Sequence, residues 1–170
     1  MRRRIFIAIN LPDSIKKNLV NFQFKWPELP CRWTKKENMH ITLEFLGYLT
    51  DEELFELCQK TKKIAAKREP FIVRLTKICY GPTDKKPAKM VWAVGDKIKE
   101  LGITPHITLG RLRMWEFRRM EPEERPEINQ DIFPPAGGLS FEVNCIDVME
   151  SRLKRGGMEY KILASCPLKN

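Results

Sequence analysis

The sequence is short of the residues that hold metals and form disulfides. It contains only two histidines and five cysteines among 170 residues. The cysteines are odd in number and none belongs to a C-x-x-C pair: they are Cys31, Cys58, Cys79, Cys145 and Cys166. Scattered thiols are typical of a reducing compartment, and neither histidine has a neighbour at the spacing of a zinc site. We therefore expect a cytoplasmic protein that needs no metal and no cofactor.

The chain also lacks a long hydrophobic run. The apolar stretch at the N-terminus, Arg4–Ile9, is too short for the core of a signal peptide or for a membrane span. A length of 170 residues fits one domain or two closely packed lobes. We expect one domain over residues 1–170, monomeric and without a membrane partner.

The balance of charges indicates a class of partner. There are 31 lysines and arginines against 22 acidic residues, which gives a formal net charge of +9. A basic protein of this kind favours polyanions, and nucleic acid is the first candidate because backbone neutralisation supplies most non-specific affinity. Charge alone is weak evidence for a function, so the type of reaction has to be inferred from sequence motifs.

Both histidines open the same tetrapeptide, His-Ile-Thr-Leu, which begins at His40 and again at His106. Because side chains alternate between the two faces of a strand, each histidine shares a face with Thr42 or Thr108, two positions later. An imidazole titrates near neutral pH, so one histidine can accept a proton while the other donates one. The threonine hydroxyls can donate hydrogen bonds to an anion. A proton acceptor, a proton donor and hydroxyl donors are the groups that cleavage of a phosphodiester needs.

Alternating and β-branched runs between Gly, Pro and polar residues predict the strands. We expect Gly47 to end the first histidine strand, and Pro126–Gly138 to be irregular. The predicted strands are Arg4–Ile9, Arg32–Thr34, His40–Leu46, Phe71–Tyr80, Met90–Val94, His106–Leu112, Leu139–Met149 and Tyr160–Ala164. Capping residues predict a helix capped by Asp13 or Ser14 with Lys16 in water, a helix with a capping box of Thr50 and Glu53, and a helix over Met114–Glu124.

The predicted elements fall into two similar sets, each with one His-x-Thr strand. They predict an α+β fold, with two antiparallel sheets flanked by helices in a bilobal, pseudo-twofold arrangement. We expect an active-site cleft between the two lobes.

The residues around the motifs resemble a known family. They are similar to the 2H phosphoesterases and, among these, to the RNA 2′,3′-cyclic phosphodiesterases, also called the 2′-5′ RNA ligase family. A single H-x-T would mean little, but two of them in these flanks are highly specific. The likeness is carried by Arg4–Ile9, Arg32–Trp33, His40–Gly47, Val91–Ala93, Thr104–Arg111, Ser151 and Gly157–Tyr160.

The resemblance implies a bilobal α+β fold without a metal, and it implies roles. His40 would be the proton donor, His106 the proton acceptor, and Thr42 and Thr108 would bind the phosphate. The family product is a terminal 2′-phosphate, so the implied substrate is RNA with a 2′,3′-cyclic phosphate terminus, tRNA fragments included, and the 3′-oxygen would be the leaving group.

Three further residues are candidates for contact with RNA. Arg32 precedes the first motif, and Phe45 follows His40 closely enough to stack on a base. Arg111 lies three residues after Thr108, so a regular strand would turn it to the opposite face unless Gly110 marks a β-bulge that re-aims it. Other stacking candidates are Trp33, Trp92 and Trp115.

One segment departs from the family pattern. Relatives have a longer helical stretch before the second motif, whereas here only Gly95–Pro105 connects the preceding strand to it. The topology of the second lobe is therefore the part that the resemblance constrains least.

Two other functions use the same observations. The first is ligation, in which a cyclic-phosphate end joins a 5′-hydroxyl through a 2′-5′ linkage. The second is a non-catalytic RNA-binding module, which would rest on the charge of +9 alone. An alkali-resistant junction would indicate the first, and salt-sensitive RNA binding without turnover would indicate the second.

Overall fold

A computed structural model describes residues 2–132 and 139–169. Its strands are β1 (Arg3–Asn10), β2 (Cys31–Trp33), β3 (His40–Leu49), β4 (Phe71–Gly81), β5 (Met90–Gly95), β6 (His106–Leu112), β7 (Gln130–Asp131), β8 (Leu139–Val143), β9 (Cys145–Lys154) and β10 (Gly157–Pro167). Its α-helices are α1 (Asp13–Gln23), α2 (Asp51–Ala65) and α3 (Met114–Phe117). The strands are joined by antiparallel pairing, which confirms the predicted mixed fold class.

The chain forms two compact units, each with one of the two motifs. The His40 unit comprises Met1–Asn10, His40–Ile72 and Glu142–Asn170. The His106 unit comprises Leu11–Met39 and Val73–Phe141. Each motif is therefore held by its own set of strands.

In the His40 unit the strand order is β10-β9-β1-β3. The central strand β1 contains the apolar run Ile5–Ile9, in which Ile5, Phe6, Ala8 and Ile9 are at most 1% exposed. A strand with neighbours on both sides can bury such a run completely. This buried strand fixes the position of β3, which carries His40.

In the His106 unit the strand order is β6-β5-β4-β7, and the short β2 pairs with the other edge of β6. Val91 and Ala93 of β5 and Ile107 and Leu109 of β6 are fully buried. The aliphatic residues of the motif therefore anchor β6, as alternation predicted.

The first helix differs from its prediction in two ways. No side chain caps α1, because Asp13 is already helical and Pro12 occupies the N-cap. Lys16 is only 9% exposed, so the prediction that it lies in water is wrong. It follows Ile15 on the apolar side of the helix, where a lysine stem can cover hydrophobic surface. This burial lowers the pKa of Lys16.

Three other boundaries are corrected. Strand β3 does not end at Gly47 but continues to Leu49, because Gly47 adopts φ 77° inside it. The predicted helix Met114–Glu124 is reduced to α3 and a 3-10 turn at Pro122–Glu124, since proline cannot continue an α-helix. The predicted strand Leu139–Met149 is divided between β8 and β9. Of the predicted irregular segment Pro126–Gly138, residues 133–138 lie outside the described part.

The short connection Gly95–Pro105 contains no helix. The amide of Ile98 donates to the carbonyl of Ile103 at 2.8 Å, and Gly102 takes a positive φ of 68° in the turn. A single bridge therefore closes the segment where relatives were expected to have a helix. In the part of the chain that the structure covers, every helix is too short or too polar to span a bilayer.

The capping box of α2 is confirmed. The Glu53 amide donates to Thr50 Oγ1 at 3.2 Å, and the Thr50 amide donates to Glu53 Oε2 at 2.7 Å. Two amides that the helix leaves without intrahelical partners are thereby satisfied.

Loss of this cap should destabilise the fold without touching either motif. We expect Thr50→Ala to lower the free energy of unfolding by about 1 kcal/mol, and Thr50→Ser to retain most of it. Urea denaturation followed by circular dichroism measures both. Equal midpoints for the alanine and serine variants would contradict the role of the hydroxyl.

Candidate active site

The first half of the site surrounds His40 on one face of the His40 unit. Its imidazole lies 5.0 Å from the Phe6 ring and 4.9 Å from the Tyr160 ring, centroid to centroid, and Tyr160 meets it edge-on. Phe6 and Tyr160 also contact each other at 5.3 Å. Two aromatic neighbours therefore restrict the orientation of the imidazole.

Thr42 lies on the same face as His40, as the spacing predicted. The Nε2 atom of His40 and the Oγ1 atom of Thr42 are 3.1 Å apart, within hydrogen-bond distance. Which of the two donates depends on the tautomer of the ring. The contact places a titrating nitrogen directly beside a hydroxyl that can bind an anion.

A β-bulge directly after Thr42 changes which later residues share this face. Thr42 pairs with Ala8 and Glu44 pairs with Ile7, so Leu43 is an extra residue in β3. Such an insertion shifts the alternation by one position and bends the strand. Phe45 consequently lies opposite Phe6, with ring centroids 5.7 Å apart, although it is five residues after His40.

Phe45 is the exposed member of this cluster. It is 67% exposed, whereas Phe6 beneath it is fully buried. An apolar ring that is held from below and open above offers a stacking surface. The structure thus places Phe45 where the sequence suggested, beside the first histidine.

The second half of the site surrounds His106. Its imidazole is stacked on the indole of Trp92, with centroids 4.1 Å apart and ring planes inclined by 25°. Burial lowers the pKa of His106. A desolvated imidazole favours its neutral form, which is the form that accepts a proton.

A glycine makes room for this stack. A Cβ atom on Gly81 would lie only 2.2 Å from the Trp92 ring, so no larger residue fits there without moving the indole. Gly81 pairs with Met90 at the end of β4, next to the strand that carries Trp92. The sequence reveals this close approach only once the register between β4 and β5 is known.

A second bulge decides the position of Arg111. Trp92 pairs with Thr108 and Val91 pairs with Gly110, which leaves Leu109 as the extra residue in β6. Thr108 and Arg111 then lie on one face, the outcome for which the sequence required a bulge.

One sulfur atom brings these two side chains together. The Thr108 hydroxyl donates to Met90 Sδ at 3.9 Å, and the Arg111 guanidinium lies 3.6 Å from the same sulfur. A thioether is a weak acceptor. Both donors therefore remain available to a stronger acceptor, such as a phosphate oxygen.

Arg32 joins this face from the neighbouring strand. It pairs with Arg111 in the register between β2 and β6, and both side chains are exposed. Like charges directly opposite each other repel. Among residues 2–132 and 139–169, no carboxylate forms an ion pair with either guanidinium, so neither positive charge is neutralised in this way.

The two half-sites follow one pattern. In each, the histidine opens a strand, the threonine lies two residues later, and a bulged leucine brings the fifth residue after the histidine onto the same face. That residue is Phe45 in one half-site and Arg111 in the other. The repeat in the sequence is therefore also a repeat in backbone geometry.

The remaining aromatic candidates have separate surroundings. The Trp33 ring packs against Gly110, where an added Cβ would come within 2.8 Å of it. Trp115 is 64% exposed and carries the Arg119 guanidinium 5.3 Å from its ring. Only Trp92 contacts a motif histidine.

Sequence reasoning missed three neighbours of the motifs, namely Phe6, Met90 and Tyr160. Each reaches its motif from another strand, so the register between strands decides the contact. Within the described ranges, no group of three or more His, Cys, Asp or Glu side chains is arranged to hold a metal ion.

Comparison with known proteins gives consistent matches. The family model for LigT-like phosphoesterases matches residues 9–92. The RNA 2′,3′-cyclic phosphodiesterase of Methanocaldococcus jannaschii is 26% identical, over 94% of this chain and 98% of that protein. The protein of the same name from Thermus thermophilus is also 26% identical, over 98% of this chain and 90% of its own length.

Solved structures show the same fold. A crystal structure from Thermus thermophilus superposes with a TM-score of 0.80 at 23% identity, and 98% of each chain is covered. Escherichia coli LigT in complex with 3′-AMP superposes with a TM-score of 0.76 at 23% identity, and both chains are covered completely. Motifs, fold and sequence likeness agree, and the chain is similar to the LigT-like phosphoesterases of the 2H family.

Proposed function

We propose that this protein hydrolyses the terminal 2′,3′-cyclic phosphodiester of RNA to a 2′-phosphomonoester. The observation that carries the proposal is the doubled half-site, in which an imidazole and a hydroxyl share one face twice. In this mechanism both half-sites act on one phosphorus atom. Relatives that match almost the full chain carry the name RNA 2′,3′-cyclic phosphodiesterase.

His106 is the proton acceptor in this proposal. Its ring is stacked on Trp92, and burial lowers its pKa, which favours the neutral form. A neutral imidazole can take a proton from a water molecule as the oxygen of that water attacks phosphorus. The cyclic ester is strained, so positioning and proton transfer supply most of what the reaction needs.

His40 is the proton donor. As the bond between phosphorus and the 3′-oxygen breaks, its ring delivers a proton to that oxygen, which leaves as a ribose hydroxyl. The phosphate stays on the 2′-oxygen. The proton gained by His106 and the proton lost by His40 balance, and exchange with solvent restores both rings.

The phosphate charge is met by hydroxyls and guanidiniums. Thr42 and Thr108 donate to the non-bridging oxygens, and Arg111 replaces its weak contact with Met90 by an ionic hydrogen bond. Arg32 adds a second positive charge from β2. Donors fixed before the reaction stabilise the charge that grows in the transition state.

Phe45 is proposed to hold the terminal base. Its exposed ring lies on the same face as His40 and Thr42. Stacking on an aromatic ring accepts any base, so this contact fits RNA ends of varied sequence. The net charge of +9 adds a sequence-independent attraction to the RNA backbone.

The setting proposed for this activity is a cytoplasmic monomer in which residues 1–170 act as one phosphoesterase domain. Five cysteines without a C-x-x-C pair fit a reducing compartment. Neither the two protons nor the phosphate contacts require a partner subunit in this scheme.

The direct experiment is turnover of an oligonucleotide that ends in a 2′,3′-cyclic phosphate, in the presence of EDTA. We expect a 2′-phosphate product at a rate that the chelator does not change, since the imidazoles exchange both protons. A 3′-phosphate product would contradict the assignment of the leaving group. Loss of activity in EDTA that added metal restores would contradict the metal-free mechanism.

Removal of either histidine should abolish most of the rate. We expect His40→Ala and His106→Ala each to lower kcat by roughly 100-fold or more. Because both rings serve one step, the double variant should be hardly worse than either single variant. Circular dichroism checks the fold of each variant. A double variant with activity close to that of the parent would exclude the histidine mechanism.

The pH profile should reflect the burial of His106. A lowered pKa keeps the base neutral in weak acid, so the acid limb of kcat/KM should have its midpoint below the usual histidine value of about 6.5. Trp92→Ala uncovers the ring and should move this midpoint upward, whereas Trp115→Ala should leave it in place. An acid limb at or above about 6.5 that neither variant shifts would argue against His106 as the base.

A further inference from the structure

The face that carries His40 continues past Phe45. Strand β3 extends to Leu49, and its register places Tyr48 opposite Arg4 of β1, two residues along β1 from Phe6. Directly opposed residues lie on the same face of a sheet. Tyr48 and Arg4 therefore share the face of Phe45 and His40.

The side chains on this extension are open to solvent. Tyr48 is 65% exposed and Phe45 is 67% exposed, while Arg4 between β3 and β9 is also exposed. Two exposed aromatic rings and an arginine on one face are the side chains that bind bases and phosphates in single-stranded nucleic acid sites. The proposed catalytic scheme uses neither Tyr48 nor Arg4.

We propose that Tyr48 and Arg4 form a subsite for the nucleotide that precedes the cyclic-phosphate end of single-stranded RNA. This inference rests on the function proposed above. The terminal base contacts Phe45, the preceding base contacts Tyr48, and Arg4 binds the phosphate that links the two nucleosides.

The spacing fits this occupant. Phe6 and Arg4, which lie opposite Phe45 and Tyr48, are two residues apart on β1, a distance of about 6.8 Å along an antiparallel strand. Successive nucleotides of a stacked strand are about 3.4 Å apart. Two neighbouring bases that each lie on their own ring are therefore further apart than in a stacked strand, as in single-stranded RNA with splayed bases.

The chemistry also fits single-stranded RNA. An aromatic ring for a base and an arginine for a phosphate are the two parts of a sequence-tolerant subsite. A substrate with its reactive phosphate at the 3′ end can continue only in the 5′ direction, so a strand bound at His40 has to leave along one surface. The face of β3 is continuous with the proposed phosphate site and offers rings and a positive charge.

The test compares uridine 2′,3′-cyclic phosphate with a dinucleotide that carries the same end. The readout is the ratio of kcat/KM for the dinucleotide to kcat/KM for the mononucleotide. We expect Tyr48→Ala to lower this ratio by roughly five-fold or more and Tyr48→Phe to keep it. A dinucleotide that lacks its first base should have a lower kcat/KM ratio than the intact dinucleotide in the parent protein. In Tyr48→Ala, removal of that base should not lower the ratio further.

Phe55→Ala is the matched control. Phe55 has the same exposed fraction as Tyr48, 65%, but it lines a cavity with Arg3, whose side chain alternates with that of Arg4 on β1. It therefore lies on the other face of the sheet, and its removal should leave the ratio unchanged. The subsite would be refuted if Tyr48→Ala had the same kcat/KM ratio as the parent protein, or if Trp115→Ala lowered the ratio instead.

A binding measurement separates this inference from the proposed reaction. A 5′-fluorescein tetranucleotide with a 2′-phosphate end, followed by anisotropy, needs no turnover. Tyr48→Ala should weaken its binding by roughly five-fold or more, and Arg4→Ala should reduce the slope of log affinity against log salt by about 0.7. If the parent protein does not turn over the substrate, the proposed reaction is refuted, but the subsite is not. Equal binding by the parent and Tyr48→Ala refutes the subsite.

Discussion

The extra residue that follows each His-x-Thr motif is the constraint on which the site depends. In a regular strand, Phe45 and Arg111 would project to the side of Ile41 and Ile107, which are buried in the core. One inserted leucine reverses the alternation in each strand. The bulge thus brings the Phe45 ring in one strand, and the Arg111 guanidinium in the other, onto the face of the histidine.

The same β-bulge follows both motifs, but the two histidines have different surroundings because the neighbouring strands differ. Opposite Thr42 lies Ala8, which leaves space above β1 for the Phe6 and Tyr160 rings to approach His40. Opposite Thr108 lies Trp92, whose indole covers His106 and disfavours its charged form. Two identical motifs therefore have different surroundings, and for His106 burial lowers the pKa of the ring.

Local rules were enough to predict the parts of the site that lie within one strand. Alternation alone predicted that His40 and Thr42 share a face. The spacing of Thr50 and Glu53 predicted the capping box of α2 in the same local way. The position of Arg111 required a bulge that Gly110 suggested but could not prove. Contacts made across strands, such as that of Tyr160 with His40, were beyond prediction because bulges in β3 and β10 shift the register and bend the sheet.

Arg32 and Arg111 form a cross-strand pair that does not favour stability. Their direct cross-strand pairing costs free energy in the absence of an anion, because two like charges oppose each other. Trp33 and Gly110, the next pair along, pack so closely that β2 cannot slip to relieve the repulsion. Under the proposed function, a phosphate bound by both guanidiniums would replace this repulsion with two attractions.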